Sequence, residues 1–221
     1  MTLHDLYLLS PEVSLAGVGL LVILLDMVIT NKSRLAWISC VGLLIPLIFS
    51  LTLWGDLTAD TGGQMIGVFD TLVVDKFAIF FKILILGIVG VVVISSADYM
   101  SKLKNLEGEY YGLMLFSASG MMLLAATTDL ISIYIAMELT ALPLAALAAF
   151  LGNARATESG MKFLLLSAMS SAILLYGMTL TYGFTGTTQL SEILQQLGSY
   201  VNGNIPFGSH AMFLGVIMIV A

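Results

Sequence analysis

Four residues in this chain have types and positions that could move a charge through an apolar medium: Glu138, Lys162, Lys82 and Pro143. Glu138 sits inside an otherwise apolar run from Leu130 to Leu151. Eight residues at 1.5 Å each place it about 12 Å from one end of a segment long enough to span a bilayer. A carboxylate at that depth costs about 2.5–3.5 kcal/mol on insertion scales, so it usually marks a pathway for ions or protons. The alternative is a protonated glutamate that only hydrogen-bonds a neighbouring helix. A relay needs a carboxyl group that can be both protonated and ionised; glue needs only one form.

The other three residues are read around it. Pro143 cannot donate a backbone hydrogen bond and crowds the carbonyl of Leu139, so a helix break is expected just after Glu138, where water could enter. Lys162 opens the following apolar run. It is either a lysine whose head snorkels to the surface or a cation on a proton path. Lys82 lies about ten residues into an earlier run, deeper than Lys76, and fits snorkelling less well than Lys76 does. Ala141, Leu142, Ala145 and Ala149 share the face of Glu138 with Tyr134, which points that face at protein. Ser167, Ala168, Ser171 and Ala172 form a small-residue seam suited to helix packing, and the serines there could also anchor water. Asp129 opens the Glu138 helix as an N-terminal acid, and Asp26 is placed to pair with Lys32.

The whole chain supplies an apolar setting for these groups. Of its 221 residues 59% are hydrophobic and only 10% charged, with a mean hydropathy of +1.03, whereas soluble domains carry about 25% charged residues. The expected fold is all-α, a polytopic transmembrane helical bundle. The roughly ten-residue alternating segments of a membrane β-barrel are absent from the sequence. Spans are expected at about 10–29, 35–54, 72–96, 110–127, 130–151 and 161–184. Ser10 is read as the N-cap of the first, ahead of Pro11 and Glu12. Trp37 and Trp54 mark the ends of the second span like an aromatic belt. A short amphipathic stretch, Leu190 to Leu197, precedes a seventh run from Ala211 that is still apolar at Ala221, so a fragment truncated in helix 7 is expected. The chain divides into an N-terminal three-helix segment, 1–109, and the start of a helical repeat, 110–221.

Charge in the loops orients the bundle. Lys32 and Arg34, Lys102 and Lys104, and Arg155 fall in the first, third and fifth connections, while the other loops lack Lys and Arg. The positive-inside rule then puts the N-terminus outside an integral, multi-pass protein, with a bacterial inner membrane as its setting. No cleaved signal peptide is indicated, since no positive charge precedes the first run. The lone Cys40 excludes a disulfide framework and a cysteine-held metal cluster. His4 and His210 are read as separate loop residues, so no metal site is expected. No basic patch suggests nucleic acid.

The segments DLISIYIAMELTALPL (129–144) and ESGMKFLLLSAMSSAILLYG (158–177) resemble the antiporter-like membrane subunits of respiratory complex I, most closely the subunit N branch of NADH-quinone oxidoreductase. Leu9 to Glu12 and Val74 to Phe81 are similar to that branch as well. The resemblance implies inverted five-helix repeats, with broken helices and a hydrated line of charges along the membrane middle. It makes Glu138 the helix-5 glutamate and Lys162 a helix-6 lysine of that line. It also implies proton translocation driven by electron transfer in other membrane-arm subunits, where NADH, FMN, iron–sulfur clusters and quinone would act. On this chain no cofactor and no catalytic redox residue is expected. Subunits of multisubunit cation/proton antiporters and membrane-bound hydrogenases share the pattern and form the alternative reading. A passive spacer in a membrane complex is the third.

Overall fold

The structure is a computed structural model describing residues 3–29, 33–59, 64–68, 70–100, 107–201 and 209–220. Among these residues the order is α1 (Leu3–Leu8), α2 (Ser10–Val28), α3 (Ser33–Gly42), α4 (Leu44–Ala59), β1 (Gln64–Gly67), β2 (Leu72–Asp75), α5 (Lys76–Met100), α6 (Glu107–Leu124), α7 (Leu130–Ala148), α8 (Ala154–Thr185), α9 (Leu190–Val201) and α10 (Ser209–Val220). Among the described residues, five helical segments are long and apolar enough to cross a membrane: 10–28, 34–58, 76–100, 130–148 and 154–185. The chain is an integral membrane helical bundle. Its outward faces carry large apolar side chains such as Val91, Ile94 and Met169, as a lipid-facing surface requires. Trp37 and Trp54 are both exposed on that surface.

The span expected at 110–127 is α6, which falls outside those five. It starts with Glu107 and Glu109 and is interrupted by Gly112, Ser117, Ser119 and Gly120, most of them buried. Helix α6 packs against α2 on one side and α7 on the other. Enclosed by protein, it has no need of a lipid-facing apolar surface.

Several local expectations are corrected. Ser10 does not cap α2; it lies inside the helix after Leu9, and its hydroxyl donates to the Tyr7 carbonyl. The second span is two helices, interrupted at Leu43. Pro46 cannot donate to the carbonyl of Gly42 and crowds it, which ends α3 there. Conversely, the break expected at Pro143 does not occur, since α7 continues through it to Ala148. The third span begins later than expected, because 72–75 pairs antiparallel with 64–67, Gln64 opposite Asp75 and Gly67 opposite Leu72. This hairpin is the β exception in an otherwise helical description. At its turn Val68 and Asp70 take positive φ, 54° and 62°, and the strain at Val68 is held by its N–H donating to Asp5 Oδ1 at 2.9 Å. His4 lies in α1 and His210 in α10, so neither is a loop residue. Lys32, Lys102 and Lys104 lie outside the described residues, and with them the expected Asp26–Lys32 pair.

One end of the bundle is knitted by backbone hydrogen bonds. Val73 N–H donates to Ala126 O, Thr128 N–H to Thr71 O, Leu130 N–H to Thr188 O and Leu190 N–H to Thr128 O, at 2.8–3.1 Å. With the Asp5 contact, these gather α1, the hairpin, the α6–α7 turn and the α8–α9 connection. The loops free of Lys and Arg therefore share one end, although Lys76 opens α5 there.

Candidate functional site

Asp129 sets the start of α7. Its carboxylate accepts from Ser132 N–H at 3.0 Å, a side-chain cap at a helix N-terminus, in line with a structural role. From that start Glu138 falls two and a half turns along α7, on the side that meets α8. The start of α8 is fixed by Asn153, which accepts from Ala156 N–H at 2.8 Å. This helix begins earlier than expected, and its 32 residues bring Ser171 level with Glu138.

Ser171 Oγ donates to Glu138 Oε1. The two residues face a cavity of about 390 Å³ between α7 and α8, lined also by Ser167 and Ser170, by Ala141, and by the apolar Met137, Phe163, Leu166 and Leu174. Three hydroxyls and a half-buried carboxylate in one apolar wall form a place where a proton can be held and passed through hydrogen bonds. A second cavity of about 570 Å³ continues along the same cleft from Tyr134, one turn from Glu138, to Thr187 and Thr188 at the knitted end.

The wall behind Glu138 is tight. Gly120 of α6 abuts the Leu139–Thr140 peptide: a Cβ there would sit 2.7 Å from Thr140 N and 2.9 Å from Leu139 C. Ser117 Oγ donates to Thr140 O at 3.1 Å. Helix α6 therefore holds α7 one residue beyond Glu138, and with Pro143 unable to donate to Leu139 O the helix stays continuous on this support.

The expected small-residue face of α7 is partly packed: Ala145 is buried, Ala141 and Ala149 half-buried, and Leu142 exposed. The expected seam on α8 is not packed. Ala168 and Ala172 are exposed, while Ser167 and Ser171 face the cavity. Close helix contact on α8 falls instead at Gly160 against Ala149 and at Gly177 against Gly215 of α10.

Lys162 is not brought to Glu138. Its Nζ lies 2.6 Å from Glu158 Oε1 one turn earlier on α8, with both side chains about two-thirds exposed (70% and 65%), and it is not among the cavity's lining residues. Lys82 is placed where position alone did not indicate. It is fully buried, and its Nζ lies 2.7 Å from Glu12 Oε1. Glu12 was read as an ordinary first-turn acid. The available signal was that Glu12 and Lys82 are isolated charges of opposite sign, each in an apolar run and each near the same end. Cys40 is a half-buried free thiol packed on the core. Among the described residues no cluster of three or more His, Cys, Asp or Glu side chains could hold a metal ion. Outside the spans, burial raises the Tyr7 phenol above its usual value of 10.0; a hydrogen bond with Thr52 opposes the rise, and Asp56, which accepts a hydrogen bond from the phenol at 2.8 Å, adds to it.

Residues 126–221 match the family model described as "NADH:quinone oxidoreductase/Mrp antiporter, TM". The chain is 37% identical to NADH-quinone oxidoreductase subunit N of Trichlorobacter lovleyi over 98% of its own length and 44% of that protein's. It is 33% identical to F(420)H(2) dehydrogenase subunit N of Methanosarcina mazei, over 96% of this chain and 43% of that one. A chain of respiratory complex I from Thermus thermophilus superposes with a TM-score of 0.68 at 27% identity, over 95% of this chain and 42% of that one. The sequence thus spans less than half the length of the relatives it matches. On the agreement of fold, family model over residues 126–221 and similarity over nearly all of this chain, the chain belongs to the antiporter-like membrane subunits of the NADH:quinone oxidoreductase and Mrp antiporter family.

Proposed function

We propose that this chain is part of a membrane-arm subunit of a complex I-type oxidoreductase, and that it passes protons through Glu138 while electron transfer proceeds in other subunits. The observation that carries this reading is the Glu138 carboxylate, held by Ser171 in a serine-lined cavity within a transmembrane helix. The chain's own residues hold and move the proton. Glu138 takes it, Ser171 donates to the ionised form and orients it, and Ser167 and Ser170 offer further hydroxyls. NADH, FMN, iron–sulfur clusters and quinone belong to partner subunits, which supply the driving reaction. Lys162 enters as a further titratable group, carried on α8 and paired with Glu158. The N-terminus and the knitted end face outward by the positive-inside rule, in a bacterial inner membrane.

A tagged full-length subunit, purified from its own membrane with its partners, tests the assignment. Oxidation of NADH or reduced F420 coupled to proton uptake by reconstituted vesicles supports it. Cation/proton exchange without electron transfer would favour the Mrp-type antiporter, which the family description also names. A complex that pumps identically without this subunit would reduce it to a spacer.

A further inference from the structure

A second buried charge centre lies away from Glu138, in the α2–α6 half of the bundle. Glu12 is the third residue of α2 and 5% exposed; Lys82 is the seventh of α5 and 0% exposed. Side chains on a helix lean toward its N-terminus, so Lys82 reaches back toward the knitted end, where Glu12 stands. Helices α4 and α6 each pack on both α2 and α5 and close the pair in.

A buried ion pair repays its desolvation only when its remaining donors and acceptors are also satisfied. Here they are not. Beyond the 2.7 Å contact, neither carboxylate oxygen of Glu12 nor the ammonium of Lys82 has a hydrogen-bond partner among the described residues. Two N–H donors and one carboxylate oxygen therefore stay open in a buried place. The other titratable groups carried near this end are engaged or apart. Asp5 accepts from Val68 N–H, Tyr7 donates to Asp56, Asp75 accepts from Ala78 N–H, Asp129 from Ser132 N–H, and His4 and Lys76 are exposed. At the far end, Glu107, Glu109 and Tyr111 of α6 lie in its first turns.

We propose that Glu12 and Lys82 form a second proton-holding site of the bundle, exchanging with the knitted surface through water bridged between Lys82 Nζ and Glu12 Oε2. An arriving proton adds to Oε2, the oxygen outside the 2.7 Å contact, and leaves by the same route. No bond to carbon changes and no electron moves. Buried polar groups left open in this way commonly take up ordered water, and Glu12, 5% exposed in the first turn of α2, stands at the knitted end from which a proton would arrive. An ion pair kept only for helix adhesion would work better with its valences closed. The site builds on the proton-translocating reading above, but its occupancy can be measured without turnover.

The test is infrared difference spectroscopy between acid and alkaline pH on the assembled complex carrying the full-length subunit. A protonated-carboxyl stretch is expected that disappears in Glu12→Gln and strengthens at neutral pH in Lys82→Met. Glu12→Asp should shift that band without abolishing it, which covers the case of a Gln variant that fails to incorporate. In the neutral pair E12Q/K82M that band should be absent at every pH although the complex assembles. A spectrum unchanged by Glu12→Gln and Glu12→Asp, or the same band retained in E12Q/K82M, would overturn the proposal. Failure of these arms would leave Glu138 pumping intact and so separable.

Discussion

Replacing Gly120 with alanine tests the support behind Glu138, and its size follows from the packing. The new Cβ would sit 2.6 Å from Thr140 Oγ1, 2.7 Å from Thr140 N and 2.9 Å from Leu139 C. Two of these three are backbone atoms and cannot rotate away, so α6 and α7 must part by several tenths of an ångström. Overpacking of this kind costs about 1–3 kcal/mol, while alanine returns at most about 1 kcal/mol of helix propensity. Gly120→Ala should therefore destabilise by about 1–2 kcal/mol. Gly87 of α5 has nothing within 4 Å of its Cβ position, so Gly87→Ala should be neutral or stabilising by up to about 1 kcal/mol. The gap of about 1–3 kcal/mol is roughly a 5- to 150-fold difference in folding equilibrium. Reversible unfolding of the full-length subunit in bicelles reads it directly. Proton uptake should fall in Gly120→Ala alone, because the shift moves the peptide next to Glu138. Equal stability of the two alanine variants would mean that α6 does not press on α7 there.

Other expectations concern the site and its orientation. Ser171→Ala removes a bond to an ionisable carboxylate, worth about 1.5–3 kcal/mol when the acceptor is charged. Proton transport should fall about tenfold or more, with Ser171→Thr retaining most activity and Thr157→Ala, exposed on α8 away from the cavity, changing little; equal effects of the Thr157 and Ser171 alanine variants would remove Ser171 from the mechanism. Lys162→Arg keeps charge but holds its proton too tightly to relay it, so pumping by the reconstituted complex should drop. Native pumping in that variant would leave Lys162 as a surface cation. A reporter inserted at Lys102 should be cytoplasmic and one at Gly62 outside; the reverse pattern would overturn the orientation drawn from loop charge.

Much of the arrangement is legible in the chain because a bilayer imposes simple rules on it. Long apolar runs had to become helices, since backbone groups find no partners in lipid. Glu138 stood out for the same reason, a charge where charges are costly. Other features depended on tertiary contacts. Pro46 and Pro143 are both interior prolines, yet only the region around Pro46 breaks, because α6 supports the backbone just before Pro143. The strand pairing of 64–67 with 72–75 rests on its docking to α1 and the α6–α7 turn. Serines 167 and 171 read from spacing as packing residues that could also anchor water; that they face a cavity, and do not pack, follows from where α8 crosses α7. Glu12 and Lys82 are distant in sequence, and their pairing needed the fold.

The central claim is that Glu138 carries a proton and does not merely join α7 to α8. Glu138→Gln keeps the size and hydrogen-bonding capacity of the side chain, including an acceptor for Ser171, while removing its titration. The measurement is proton uptake by vesicles alongside quinone reduction, after confirming that the variant subunit is incorporated. The account predicts an assembled complex with proton uptake strongly reduced, electron transfer slowed with it, and partial activity in Glu138→Asp. Native proton uptake by the Gln variant would contradict it and leave Glu138 as a structural hydrogen-bonding group.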